Sequence, residues 1–152
     1  MALLELSFSD SPADAAGMAV RHFEVQEGLS MLFEVALVVM SPSASVDLDA
    51  LVGKPARFRV EGGDLGGREW AGLCFGAELL DVEEDGLSTY RVSLAPTLWL
   101  LTQRVNHRIF QHQSAPEIAE KLLGEWNVPV ELKVDRARHP KLEYRAQYGE
   151  TD

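Results

Sequence analysis

The residues of this 152-residue chain best suited to chemistry are four histidines, one cysteine, and two glutamates set inside apolar runs. A protein metal site draws on clustered His, Cys and carboxylate ligands at short, regular spacings. His22, His107, His112 and His139 fall on separate stretches without an HxxxH pattern, and the five-residue step from His107 to His112 does not place both on one face of a strand. Cys74 lies within an apolar run and reads as a small core residue; a single cysteine forms no internal disulfide. Acid–base catalysis calls for two converging carboxylates with separated proton affinities. Most acids here fall on the polar side of alternating segments, whereas Glu34 and Glu78 interrupt apolar ones. An isolated Glu in such a place is more often paired with an Arg than catalytic, and Arg104 and Arg108 are candidate partners. There is no G-x-S-x-G elbow and no Cys-His signature. Gly62-Gly63-Asp64-Leu65-Gly66-Gly67 lacks the Lys-Ser/Thr ending of a phosphate loop and no clear helix follows it, so it reads as a hairpin loop. The expectation is a chain with no catalytic, cofactor-binding or metal-binding residues, and not an enzyme. A small β-barrel enzyme or ligand-binding domain is the alternative, and it requires Glu34, Glu78 or the histidines to converge in a polar pocket.

The elements that must carry these side chains are mostly strands. Period-2 alternation places Leu4, Leu6 and Phe8 on one face, and likewise Ala56, Phe58 and Val60, then Tyr90, Val92 and Leu94. It recurs at Val128, Val130, Leu132 and Val134, and at Leu142, Tyr144, Ala146 and Tyr148. Residues 31–40 are apolar on both faces apart from Glu34 and need cover on both sides. Residues 70–80 carry Gly72, Cys74 and Gly76 two apart, which lets a strand bend sharply or another backbone approach. An antiparallel barrel meets these demands because closure removes exposed edges. One helix is expected over about 114–126, with Ser114 and Glu117 as a capping box, Pro116 in its first turn, and an apolar stripe of Ile118, Ala119, Leu122, Leu123 and Trp126. Asn127 is its left-handed stop. A helical turn is expected over about 47–52, capped by Asp47 and ended by Gly53, and Gly86 supplies the positive φ of a hairpin turn at residues 83–86. The class is mainly β (α+β), and length predicts a single domain over 1–152.

A net charge of −10 argues against a nucleic-acid backbone as partner. The charge is uneven: residues 1–52 carry eight acids against Arg21 alone, while residues 101–152 carry eight of each sign. An acidic face from the N-terminal half is expected. No segment approaches the roughly 18–20 apolar residues of a membrane span, and the start lacks the basic-then-apolar order of a signal peptide.

One stretch carries a family resemblance. A strand ending at Pro96 is followed by Leu98-Trp99-Leu100, then Arg104, Arg108-Ile109-Phe110-Gln111, and the capped helix from Ser114 to Glu117. This resembles the VgrG family, the spike hub of the bacterial type VI secretion machine, although the family usually has an Asp where Asn106 or His107 stands. Gly28-Leu29-Ser30-Met31-Leu32-Phe33 after Gln26-Glu27, Leu51-Val52-Gly53-Lys54-Pro55, and Glu143-Tyr144 through Gln147-Tyr148 to Thr151-Asp152 match further family patterns in order. The resemblance implies a phage tail-tube or hub type of barrel, the first of two in the family, with the second barrel and the C-terminal spike absent. It implies a structural part of a contractile injection machine that joins tube to spike and helps deliver effectors; a phage-tail hub is the nearby alternative. The implied partners are a homotrimer of full-length subunits, an Hcp-like hexameric tube, the spike, effectors and baseplate proteins. The implied location is cytoplasmic during assembly, then outside through the machine without a signal peptide and without membrane insertion by this region. Glu34, Arg104, Arg108 and Phe110 are the expected assembly-interface residues.

Overall fold

The computed structural model describes residues 3–9, 17–62, 67–83 and 86–152. It divides the chain into two compact units, Met1–Pro96 and Thr97–Asp152, where length alone predicts one domain. The first unit is a six-stranded antiparallel sheet of β1 (Leu3–Phe8), β2 (Ala19–Gln26), β3 (Glu34–Ser41), β4 (Pro55–Glu61), β5 (Arg68–Val82) and β6 (Ser88–Ala95), in the spatial order β1-β4-β5-β6-β3-β2. Alternation sets the buried row. Ala56, Phe58 and Val60 on β4 and Tyr90, Val92 and Leu94 on β6 are buried, and Leu4, Leu6 and Phe8 pack against them. β3, flanked by β6 and β2, buries Val35, Leu37 and Val39 completely and half-buries Ala36, Val38 and Met40 on its other face. Each large aliphatic side chain so removed from water contributes roughly 1.5–3 kcal/mol.

The sheet curls into a half-barrel. The outer strands β1 and β2 come near one another, but among the described residues no hydrogen-bonded ladder joins them. One aromatic contact crosses the curl: Phe23 of β2 meets Phe58 of β4 at 5.2 Å between ring centroids, and Phe58 stacks on its cross-strand neighbour Trp70 of β5 at 5.8 Å. The bending strand is β5, whose register slips at Cys74/Gly76 and again at Leu79/Asp81. Of its two glycines, Gly72 is the one required by space, since a Cβ there would lie 1.9 Å from the carbonyl oxygen of Ala95. The turn expected near 47–52 is present: Asp47 accepts from the amide of Ala50 at 3.0 Å, Val52 donates to the carbonyl of Leu48, and Gly53 has φ +81°. The turn after β5 uses Gly86 at φ +87°. Residues 63–66 of the glycine-rich loop lie outside the described residues.

The second unit holds a 3-10 helix (Thr97–Gln103), β7 (Val105–Gln113), α1 (Ala115–Glu125), a short 3-10 turn (Arg136–Arg138) and β8 (Leu142–Thr151), with β7 and β8 paired antiparallel. The capping box forms: the Glu117 carboxylate accepts from the backbone amide of Ser114 at 2.8 Å and from its hydroxyl at 2.9 Å. Asn127 adopts φ +54° as the stop. Two expectations fail here. Residues 128–134 form no strand, and Val130 and Val134 stand exposed, because alternation describes side chains and cannot supply a neighbouring strand to pair with. The apolar face of β8 is also outward, with Tyr148 83% and Tyr144 64% exposed, while Phe110 and Gln147 occupy the buried side. Phe110 is the one large apolar side chain buried in this unit among the described residues. Ile118, Ala119, Leu122 and Leu123 of α1 line an apolar groove of about 480 Å³ with Phe110 and Gln147.

The close approach at Gly72 gives a direct test. Gly72→Ala should lower the stability of the first unit by at least about 2 kcal/mol in urea denaturation, because the clash is with backbone that cannot swing away. Unchanged stability would mean that β5 and β6 tolerate separation there.

Candidate assembly site

The second unit is held by a polar cluster at the ends of three elements. Even spacing on and before β7 puts Arg104, Asn106 and Arg108 on one side. Arg104 reaches Glu125 at the end of α1 at 2.6 Å, stacks over the Trp126 ring at 4.8 Å, and donates from Nε to Asp152. Arg108 holds both oxygens of Glu125 at 2.9 and 3.0 Å. The side chain of Asp152 is fully buried and also accepts from Asn106 Nδ2 at 2.9 Å, Trp126 Nε1 at 3.0 Å and Gln147 Nε2 at 3.0 Å. Its backbone amide donates to the carbonyls of Leu101 and Arg104.

Charge in this cluster follows the donors. Burial works to raise the proton affinity of Asp152, but donors from Gln147, Trp126, Asn106 and Arg104 overcome it and hold the carboxyl well below the usual range. Arg108, then Arg104, lower Glu125. At the other end of α1, Lys141 at 2.7 Å and the Ser114 cap bring Glu117 down to about 2.

The expected interface residues therefore occupy different settings. Arg104 and Arg108 face carboxylates of their own unit and are not partners of Glu34 or Glu78. Phe110 is buried, with the Lys121 ammonium 5.5 Å from its ring centroid. Glu34 opens β3 and is exposed rather than enclosed. Glu78 pairs on the surface with its cross-strand neighbour Arg91 at 2.6 Å. Through Arg91, Glu78 is level with Val38, four residues along from Glu34. At about 3.3 Å per residue the two carboxylates stand some 13 Å apart along the strands and do not converge. His22, His107 and His112 are exposed on their strands, with His107 edge-on to Tyr148, and among the described residues no group of three or more His, Cys, Asp or Glu is placed to hold a metal ion. Burial raises the Cys74 thiol above its ordinary value. Sequence reasoning passed over Glu125, Trp126, Gln147 and Asp152 as one cluster; the shared side of Arg104, Asn106 and Arg108 was the signal for it. It also read Gly28 to Phe33 as the entry to a long strand and residues 31–40 as covered on both faces, whereas the strand begins at Glu34, Met31 is 65% exposed and Leu29, at the hairpin tip, is 98% exposed.

Comparison with known proteins gives consistent results. Residues 26–152 match the family described as phage tail baseplate hub (GPD). The chain is 34% identical over 139 residues to the type VI secretion system spike protein VgrG4b of Pseudomonas aeruginosa, covering 89% of this chain and 16% of that one. It is 32% identical to VgrG1b of the same organism over 93% of this chain and 19% of that one. The chain thus spans less than a fifth of the length of either spike protein. Among solved structures, the E. coli c3393 protein superposes with a TM-score of 0.78 at 26% identity, over 97% of this chain and 40% of that one. That protein is described as a component of the type VI secretion system with structural similarity to the T4 bacteriophage tail proteins gp27 and gp5.

Because Asp152, Glu125 and Glu117 all have depressed folded-state values, the unfolded chain takes up protons first as pH falls. The stability they contribute is complete above the ordinary values, 4.5 for the two glutamates and 3.8 for Asp152, and is lost progressively as pH falls through the lower folded values, about 2 for Glu117 and lower still for Asp152. Asp152→Asn should destabilise the second unit by about 3 kcal/mol at neutral pH, since it leaves the donors around a buried site without their counter-charge. It should also flatten the loss of stability that sets in below about pH 3.8 in circular-dichroism melts. A variant with the wild-type midpoint and acid profile would remove Asp152 from the centre of the cluster.

Proposed function

We infer, from the premise that this chain belongs to the phage tail baseplate hub family, that it is a structural part of a type VI secretion spike hub, the part that meets the tube. The observation carrying this reading is the likeness to the c3393 protein over 97% of the chain. Identities of 32–34% to VgrG spike proteins favour a type VI machine over a phage tail. The work of such a part is mechanical. A sheet with cover on one face and a second, half-buried apolar face on β3 suits a wall that joins neighbours while force passes along it. Three full-length subunits form the ring, an Hcp-like hexameric tube stacks on it, and spike, effectors and baseplate proteins complete the assembly. Such a protein is assembled in the cytoplasm and leaves with the machine's own stroke; no helix among the described residues is long and apolar enough to cross a membrane. No chemical step is assigned to it.

Mixing the purified chain with purified hexameric tube rings and sedimenting them together tests this reading. The chain should move with the rings at micromolar concentration, in the range of a transient or rim-dominated contact. A chain that stays at its own sedimentation rate at every ring concentration would contradict it.

A further inference from the structure

The second unit carries a groove that its own side chains do not fill. Ile118, Ala119, Leu122 and Leu123 of α1 are only half-buried along it, and Phe110 lines it too. Its volume of about 480 Å³ lies within the roughly 300–1,000 Å³ of pockets that hold ligands. The cations beside it are unanswered. Lys121 rests its ammonium 5.5 Å from the Phe110 ring centroid, and Arg145 lines the groove with Nε buried and without a hydrogen-bond partner. Neither has a carboxylate in salt-bridge range among the described residues. Of the two acids in the lining, Asp152 is already held by Arg104, which leaves Glu150 as one free acid against two cations.

The β2–β3 hairpin of the first unit shows the converse. Leu29 at its tip is 98% exposed and Met31 is 65% exposed, so their own subunit gives them little burial. The tip is held in shape by the Met31 amide, which donates to the Gly28 carbonyl at 3.2 Å, and by Ser30 at φ +59°. A preshaped apolar knob loses little freedom on docking. Its unanswered charges have the opposite sign. Glu34, in the last ladder pair below the tip, and Glu24 on β2 have no cation in salt-bridge range among the described residues.

One chain therefore holds both halves of a contact, an apolar knob with acids and an apolar groove with bases. Its charge distribution sets the direction. Residues 1–52 carry eight acids against one base, and residues 101–152 carry eight of each. Knob to groove pairs the acidic part with a neutral one, whereas knob to knob sets acid on acid. Unlike surfaces joined head to tail use one knob and one groove per subunit, and they close into a ring when the rotation allows. Resting on the ring of three subunits inferred above, we propose that its neighbouring subunits are joined in this way. Leu29, with Met31 beside it, enters the groove along α1 of the next copy, and Glu24 and Glu34 face the Lys121 and Arg145 of that copy.

Sedimentation velocity of the purified chain over a range of concentrations tests this. The unmutated chain should self-associate, and Leu29→Asp should weaken that association at least about 10-fold with an unchanged thermal midpoint. Ala119→Glu, which plugs the groove with a carboxylate, should do the same with its helix content retained. Mixed one to one, the two variants should form a dimer that grows no further, because one supplies a groove and the other a knob. Where Ala119→Glu does not fold, the exposed Lys121→Glu takes its place, with a smaller loss of association that fades in high salt. An unmutated chain that stays monomeric up to about 1 mM would overturn the proposal. So would association untouched by Leu29→Asp, or two inert variants that fail to pair. The hub reading is judged apart from these outcomes, by sedimentation with tube rings.

Discussion

The first unit depends on one constraint: a sheet of six strands must curl far enough for β2 and β4, which are not neighbours in it, to share an aromatic contact. Phe23 and Phe58 make that contact, and Phe58 stacks in turn on its cross-strand neighbour Trp70. The curl is possible because β5 slips register twice and because Gly72 lets the carbonyl of Ala95 come in where a methyl group would stand. From the curl follows the enclosed row of Val35, Leu37, Val39, Tyr90, Val92 and Leu94. The Trp70 indole meanwhile donates to Glu27 at the base of the β2–β3 hairpin.

The second unit solves a different problem. It buries a single large apolar side chain among the described residues and leaves Val105, Ile109, Tyr144 and Tyr148 in solvent. Its order comes largely from charge: Asp152 gathers donors from Arg104, Asn106, Trp126 and Gln147, and Glu125 ties both arginines to the end of α1. Networks of this kind fix geometry more surely than they add net stability. Its exposed apolar faces are of the kind that further polypeptide covers in a larger assembly, in keeping with relatives several times longer than this chain.

Much of this was legible beforehand, and for physical reasons. Alternation reports burial when a sheet has one wet face, so β1, β4 and β6 were read correctly down to the inward residues. The capping box at Ser114 and Glu117 and the stop at Asn127 were local, and local hydrogen bonding decided them. Alternation misled at residues 128–134 and on β8, because the pattern says which side chains share a face and not whether anything lies against that face. Pairing was the least legible level. Arg104 and Arg108 were visible as charges beside an apolar run, but their partners lie 17 to 48 residues away and only the fold selects Glu125 and Asp152 over Glu34 and Glu78. Leu29 looked like one more apolar residue before a strand until its place at the tip was known.

If this chain is a wall element placed against the end of a tube, it must be found at tube ends. Electron cryo-microscopy of purified tubes incubated with the chain tests that most directly. Added density should cap the tube ends, with the curled sheet of the first unit resolved there. Bare tube ends at saturating chain would rule that placement out.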